Sequence, residues 1–280
     1  MYSMRWLAVG GRTDKHVSIA LEKNEPDFER EEGIRPMSPL FITLAPAIIA
    51  LVTSLLVAYF AQLLKYRAEQ QQEIKAINLK YLNPLRLYLE ENHFRIDEIL
   101  KRVRAAGGRY ELLTRVEAAS VSEQTSQWFN GEGCYLVSSC YFTACLFYYI
   151  QLVRNDFAYL RLRRKEDTDL LNLMFNVSHA FLQNIGIFYA TQPSMGIDMY
   201  LPERGRLVSY REFCLMLQDP EKRVWFDRLI NFYIETGKGQ NLERVESAIK
   251  AIAELSKFLD VAVGGGASIQ RRYESERVPI

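Results

Sequence analysis

LFITLAPAIIALVTSLLVAYFAQLL, residues 40–64, lies in the longest run of this 280-residue chain without a charged side chain, bounded by Arg35 and Lys65. About 20 apolar residues rising 1.5 Å each cross a hydrocarbon layer of roughly 30 Å, so the stretch is long enough to span one. A helix buried in a soluble domain keeps a polar stripe; here only Thr43, Thr53, Ser54 and Gln62 break the apolar surface. Tyr59 stands near the C-terminal end, where an amphipathic ring suits the headgroup layer. Pro46 falls in the first turns, where a missing N–H matters least. The stretch reads as a transmembrane helix.

Outward from it, Lys65, Arg67, Lys75 and Lys80 follow the span, against Arg35, Arg30 and Lys23 before it. Lysine and arginine mark the cytoplasmic side, so the part after the span is expected in the cytoplasm and the protein in the cell (inner) membrane. Residues 1–36 carry glycines, prolines and a charged run without hydrophobic period and are expected to be disordered. They are no secretory signal, since nothing long and apolar precedes Pro36 and the later run is too long for one. Met37 stands directly before the span, so a translation start at MSPLF is a further expectation, and 1–36 would then not be native.

Residues 65–82 are strong helix formers with a narrow stripe at Ile74, Ile77 and Tyr81, a helical stalk. Asn83-Pro84 combines an N-cap residue with the proline favoured at the first helical position, so a new amphipathic helix is expected from 84 to about Arg104. Gly107-Gly108 would stop it. Ser120 or Ser122 is expected to cap a short helix ending at Phe129. CYLVSSCYFTACLFYYIQLV, residues 134–153, has no charge either. Ser138, Ser139, Thr143, Gln151 and four tyrosines suit a core helix better than a second span. Two spans would also leave one basic flank outside.

Further helices are expected from Asp167 or Thr168 to near Gly186, from a Ser209–Glu212 capping box, from Asp219-Pro220 to Gly237, and after Asn241. Residues 187–208 read as an ordered loop packed on the core. The fold class is all-α: one N-terminal transmembrane helix followed by a cytosolic helical domain at 84–263, then a flexible tail at 264–280.

Chemistry leaves few traces. Net charge is +1, so charge does not nominate nucleic acid as a partner. Cys134, Cys140, Cys145 and Cys214 lack the paired spacing of a zinc site and read as free buried thiols in a reducing compartment. Glu90-x-x-His93 has the spacing of a ligand pair in four-helix di-iron proteins, but its nearest counterpart, Asn176-x-x-His179, offers asparagine where glutamate is needed. A solvated helix face is the simpler reading for Glu90, Glu91 and His93, and a hydrogen-bonded core or boundary position for His179. No nucleophile signature appears, and neither cofactor nor metal is expected. Two basic clusters remain: Lys101, Arg102 and Arg104 with Arg109, and Arg161, Arg163, Arg164 and Lys165. Each is expected at a helix C-terminus, where cations complement the dipole, and each can meet anionic lipid or a partner protein.

KYLNPLRLYLEENHFRIDEIL and RVWFDRLINFYIETGKGQNLE resemble a family of uncharacterised bacterial proteins with one N-terminal span. The resemblance covers most of 37–260 and implies no activity, ligand or site. The expected function is a membrane-anchored scaffold or regulatory protein that works by protein binding, with membrane lipid and a protein partner, or a second copy met through the stalk, as contacts. The alternatives are a membrane-associated enzyme acting on a lipid or nucleotide, for which Glu90, Glu91 and His93 are the only nameable residues, and a two-span pore or transport component.

Overall fold

The described residues are mostly helical, with almost no strand. The computed structural model describes residues 39–156, 164–183 and 186–262; the segment 1–36, the tail 264–280, Arg161 and Arg163 lie outside them. Two units divide the chain, Met1–Gln62 and Leu63–Ile280, and the boundary falls within helix α1, Pro39–Ile77.

In the first unit, Leu44 and residues 46–62 are all exposed. Thr53 Oγ1 donates to Ile49 O at 2.7 Å and Ser54 Oγ to Leu51 O at 2.8 Å. Both hydroxyls are therefore satisfied within their own helix, as a polar side chain in an apolar medium requires.

In the second unit the expected break at Asn83 does not occur. α1 passes through a π-helical turn, Asn78–Leu82, into α2, Asn83–Ala105, and Asn83 has helical dihedrals and caps nothing. The physical reason is Pro84. Its ring would press on a carbonyl one turn back, and the wider π turn just ahead of it relaxes that turn while the Asn83 N–H still bonds to Asn78 O. Tyr81 OH donates to Asp156 Oδ2 at 2.6 Å and fastens the turn to the domain.

After α2, stopped by Gly107 and Gly108 at positive φ, come α3 (Glu111–Thr114), a 3₁₀ turn (Ala118–Glu123) and α4 (Ser126–Asn130). The cap of α4 is Thr125, whose hydroxyl accepts from Trp128 N, rather than Ser120 or Ser122. α5 (Cys134–Asn155) is the central helix. Ser139 and Thr143 are fully buried, and the Ser139 hydroxyl bonds back to a carbonyl of its own helix, so the hydroxyls that spoke against a lipid-facing helix lie inside the protein.

α6 runs over Arg164–Leu182 and begins before the expected caps Asp167 and Thr168. The segment read as a loop contains α7, Thr191–Asp198, and a minimal hairpin of β1 (Tyr200–Leu201) and β2 (Arg206–Leu207), paired Tyr200 to Leu207 and Leu201 to Arg206. Pro193 in the first turn of α7 costs no hydrogen bond there, and Gly196 serves packing instead of breaking the helix.

α8 (Tyr210–Gln218) starts at the expected capping box of Ser209 and Glu212. Asp219 caps α9 as expected, but α9 is only Pro220–Arg223. A 3₁₀ turn at Val224–Phe226 then leads into α10, Asp227–Gly237, where one helix was expected. Before α11, Leu242–Ala262, Asn241 takes φ 54° and its amide donates to Glu235 Oε2 at 3.0 Å. Neighbouring helices run in the order α6, α11, α2, α5, α7, with α10 against α2, α3 and α5. The core lies along the seams, with Leu85, Leu89, Ile96, Ile99 and Val103 of α2 facing inward.

Candidate functional site

A cleft of about 700 Å³ opens where the end of α7, the hairpin, α8 and α9 meet. Gly205, in the left-handed region at φ 61°, makes the turn between the two strands. One wall is fixed by Glu212. Its carboxylate accepts from Arg206 twice at 2.8 Å, from Arg204 at 2.9 Å and from the Ser209 N–H at 2.7 Å. The Arg206 guanidinium, followed by the Ser209 N–H and hydroxyl, holds this carboxyl well below the usual carboxylate range.

The opposite wall follows from the break after α9. The 3₁₀ turn sends Phe226 into the core and leaves its neighbour Trp225 on the cleft, 55% exposed. Leu201, Val208 and Met216 supply further apolar lining. Five carboxylates also line it: Asp198, Glu203, Glu212, Asp219 and Glu221. Its two cations are already engaged, Arg204 with Glu212 and Lys222 Nζ with Asp219 Oδ2 at 3.6 Å. Among the described residues, Asp198, Glu203 and Glu221 have no cationic partner. Burial pushes the Asp198 carboxyl up. The cleft is thus electronegative and walled by one exposed indole, a combination that suits a cation with an apolar stem.

The residues nominated by sequence are placed differently. Glu90 is buried, not on a solvated face: Arg86 Nε donates to its Oε1 at 3.1 Å and the same guanidinium reaches Asp260 of α11 at 2.5 Å. This ion-paired group ties α2 to α11, which is structural work. Glu91 and His93 are half-buried on α2. His179 is exposed, stacked on Phe175 at 5.8 Å, and not a core histidine. Among the described residues no group of three or more His, Cys, Asp or Glu could hold a metal ion.

Of the first basic cluster, Lys101 pairs with Asp97, Arg102 with Glu98 and Arg104 with Glu246, and Arg109 is exposed. Three of these four cations are locally neutralised. In the second cluster, Arg164 and Lys165 open α6 rather than close α5, which ends at Asn155. A helix start repels cations, so the dipole does not account for them.

Sequence reasoning missed two features. The cleft gathers residues from three short segments and leaves no spacing to detect. The other is a buried hydrogen-bond chain. Tyr233 OH and Thr143 Oγ1 are 2.6 Å apart, Thr143 Oγ1 donates to Asn92 Oδ1 at 2.6 Å, and the Asn92 amide donates to Tyr88 O at 2.7 Å and Phe142 O at 3.0 Å. Asn92 occupies the seam position between Leu89 and Ile96, a signal visible in the helical spacing. Nearby thiols are held protonated: burial pushes Cys145 up to about 12, and Cys140 is raised by the same cause. Neither is poised as a nucleophile.

No protein-family model, curated protein or solved structure matches the chain.

Proposed function

We propose that this is a single-span membrane protein whose helical domain, on the cytoplasmic side of the inner membrane, acts as a scaffold or regulatory subunit by binding another protein. One contrast carries the reading. Among the described residues two helices are long and apolar enough to cross a membrane; the apolar stretch of α1 has none of its surface buried, whereas α5 is two-thirds buried among other helices of its domain. An exposed apolar surface of that size needs a cover, and lipid is the cover that a 25-residue uncharged helix fits. The basic residues from Lys65 to Lys80 support the cytoplasmic side. A binding role is supported by an open, preformed cleft.

The test is residues 65–280 prepared without the span and examined by light scattering in detergent-free buffer. A soluble, monodisperse helical species is expected, and its mass reports whether the stalk pairs two copies. Recovery only with detergent, in vesicle-bound form, overturns the single-span reading in favour of the two-span alternative.

A further inference from the structure

Trp225 is the feature that the fold does not explain. Its neighbours Phe213 and Phe226 are fully buried and stack edge to face at 5.2 Å, so the local core is complete without it. An indole left 55% exposed on a concave wall is unusual unless something covers it. Ile197, Leu215 and Val224, each next in sequence to a lining residue, are also more than half exposed. Tryptophan in a pocket surrounded by smaller apolar residues is the composition of a protein-binding hot spot.

We propose that this cleft receives a basic peptide segment of a partner protein, laying an arginine or lysine side chain on Trp225 with its charge met by Asp198, Glu203 and Glu221. The proposal rests on the protein-binding reading above and names its partner chemistry. Three observations select a cation. The carboxylates left over after Arg204 and Lys222 are engaged all line one cavity. The indole face attracts a cation through its quadrupole. Leu201, Val208 and Met216 offer apolar contact to the methylene stem that arginine and lysine carry. A free quaternary ammonium fits less well, because an aromatic cage uses several rings and Trp225 is the one aromatic lining residue. The bonds that clamp Glu212 keep the wall preformed, so little ordering cost opposes binding.

The experiment uses the full chain in phosphatidylcholine nanodiscs, whose zwitterionic surface does not itself collect basic peptide. The probe is a fluorescein-labelled hexapeptide alternating leucine and arginine, read by fluorescence anisotropy. Saturable binding is expected. It should weaken about tenfold with W225A, about tenfold with E203Q/E221Q, and similarly when citrulline replaces arginine in the probe. Circular dichroism of both variants should stay unchanged, since all three positions are exposed. Absence of saturable binding, or equal binding by the wild type and both variants, overturns the proposal. So does full displacement by tetramethylammonium, which would make the cleft a small-cation site. A chain that binds the probe yet floats free of membranes would overturn the anchor and leave the cleft standing. A membrane-held chain without probe binding would do the reverse.

Discussion

Asn92→Asp is expected to cost about 4 kcal/mol of folding stability at about pH 7, the upper range for an uncompensated buried charge. The two side chains have the same shape, so packing does not change. Hydrogen bonding does. Asn92 is fully buried and its amide donates to Tyr88 O and Phe142 O while its oxygen accepts from Thr143. A carboxylate has no donor for those two carbonyls and would face them with like partial charge. The folded protein would therefore keep this group protonated, with its folded pKa raised above the unfolded value near 4. For an acid raised in this way the folded state binds more protons than the unfolded one, so stability rises as pH falls. The deficit against wild type should shrink steadily from about pH 7 to about pH 4.5. Urea unfolding followed by circular dichroism at the two pH values checks it. A deficit that does not change with pH would mean that position 92 is solvated and the chain from Asn92 to Tyr233 is not a dry core.

Gly196→Ala is expected to cost about 2–3 kcal/mol, although alanine is the better helix former by about 1 kcal/mol. A Cβ at this site would lie 2.6 Å from Tyr148 N and 2.8 Å from Phe147 C and Tyr148 Cα. These are backbone atoms in the middle of α5, which cannot turn aside as a long side chain can. α7 would have to move away bodily, loosening Met195 and Met199, both fully buried on that helix and just past its end. The hairpin follows α7 directly, and Tyr200 stacks on Tyr148 at 5.3 Å, so the cleft should distort as well. Thermal unfolding of the variant should show a midpoint lower by roughly 4–10 °C. An unchanged midpoint would show that α5 and α7 do not approach as closely as described.

The contrast between these sites and the sequence reading is instructive. Helices with a periodic apolar face and a cap were legible: the Leu85 to Val103 seam, the Ser209–Glu212 box and the Asp219-Pro220 start all occur as residue pattern alone implies. Patterns failed where tertiary contact overrode a local signal. Asn83-Pro84 carries a helix-start signature, yet Tyr81 and Leu82 are buried and held by the domain, so the backbone widens and continues. Gly196 and Pro193 look like loop residues, and the packing of α7 on α5 needs a glycine inside a helix. Glu90 looks solvated until Asp260, 170 residues later, arrives with Arg86 between them. The cleft was invisible for the same reason: Trp225 belongs to an apolar run, and only the break between α9 and α10 turns it outward.

A full-length L55R/A58R variant puts the anchor itself to the test. Each arginine near the centre of a spanning helix raises the cost of insertion by about 2.5–3.5 kcal/mol, roughly 5–7 kcal/mol together. Both positions are exposed, so folding should survive. In density-gradient flotation of detergent-free lysate, the wild-type chain should rise with the vesicles and the variant should stay in the soluble fractions with undiminished helical circular dichroism. A variant that still floats with the vesicles, and is extracted only by detergent, would mean that a second segment holds the protein in the bilayer and would contradict a single span at residues 40–64.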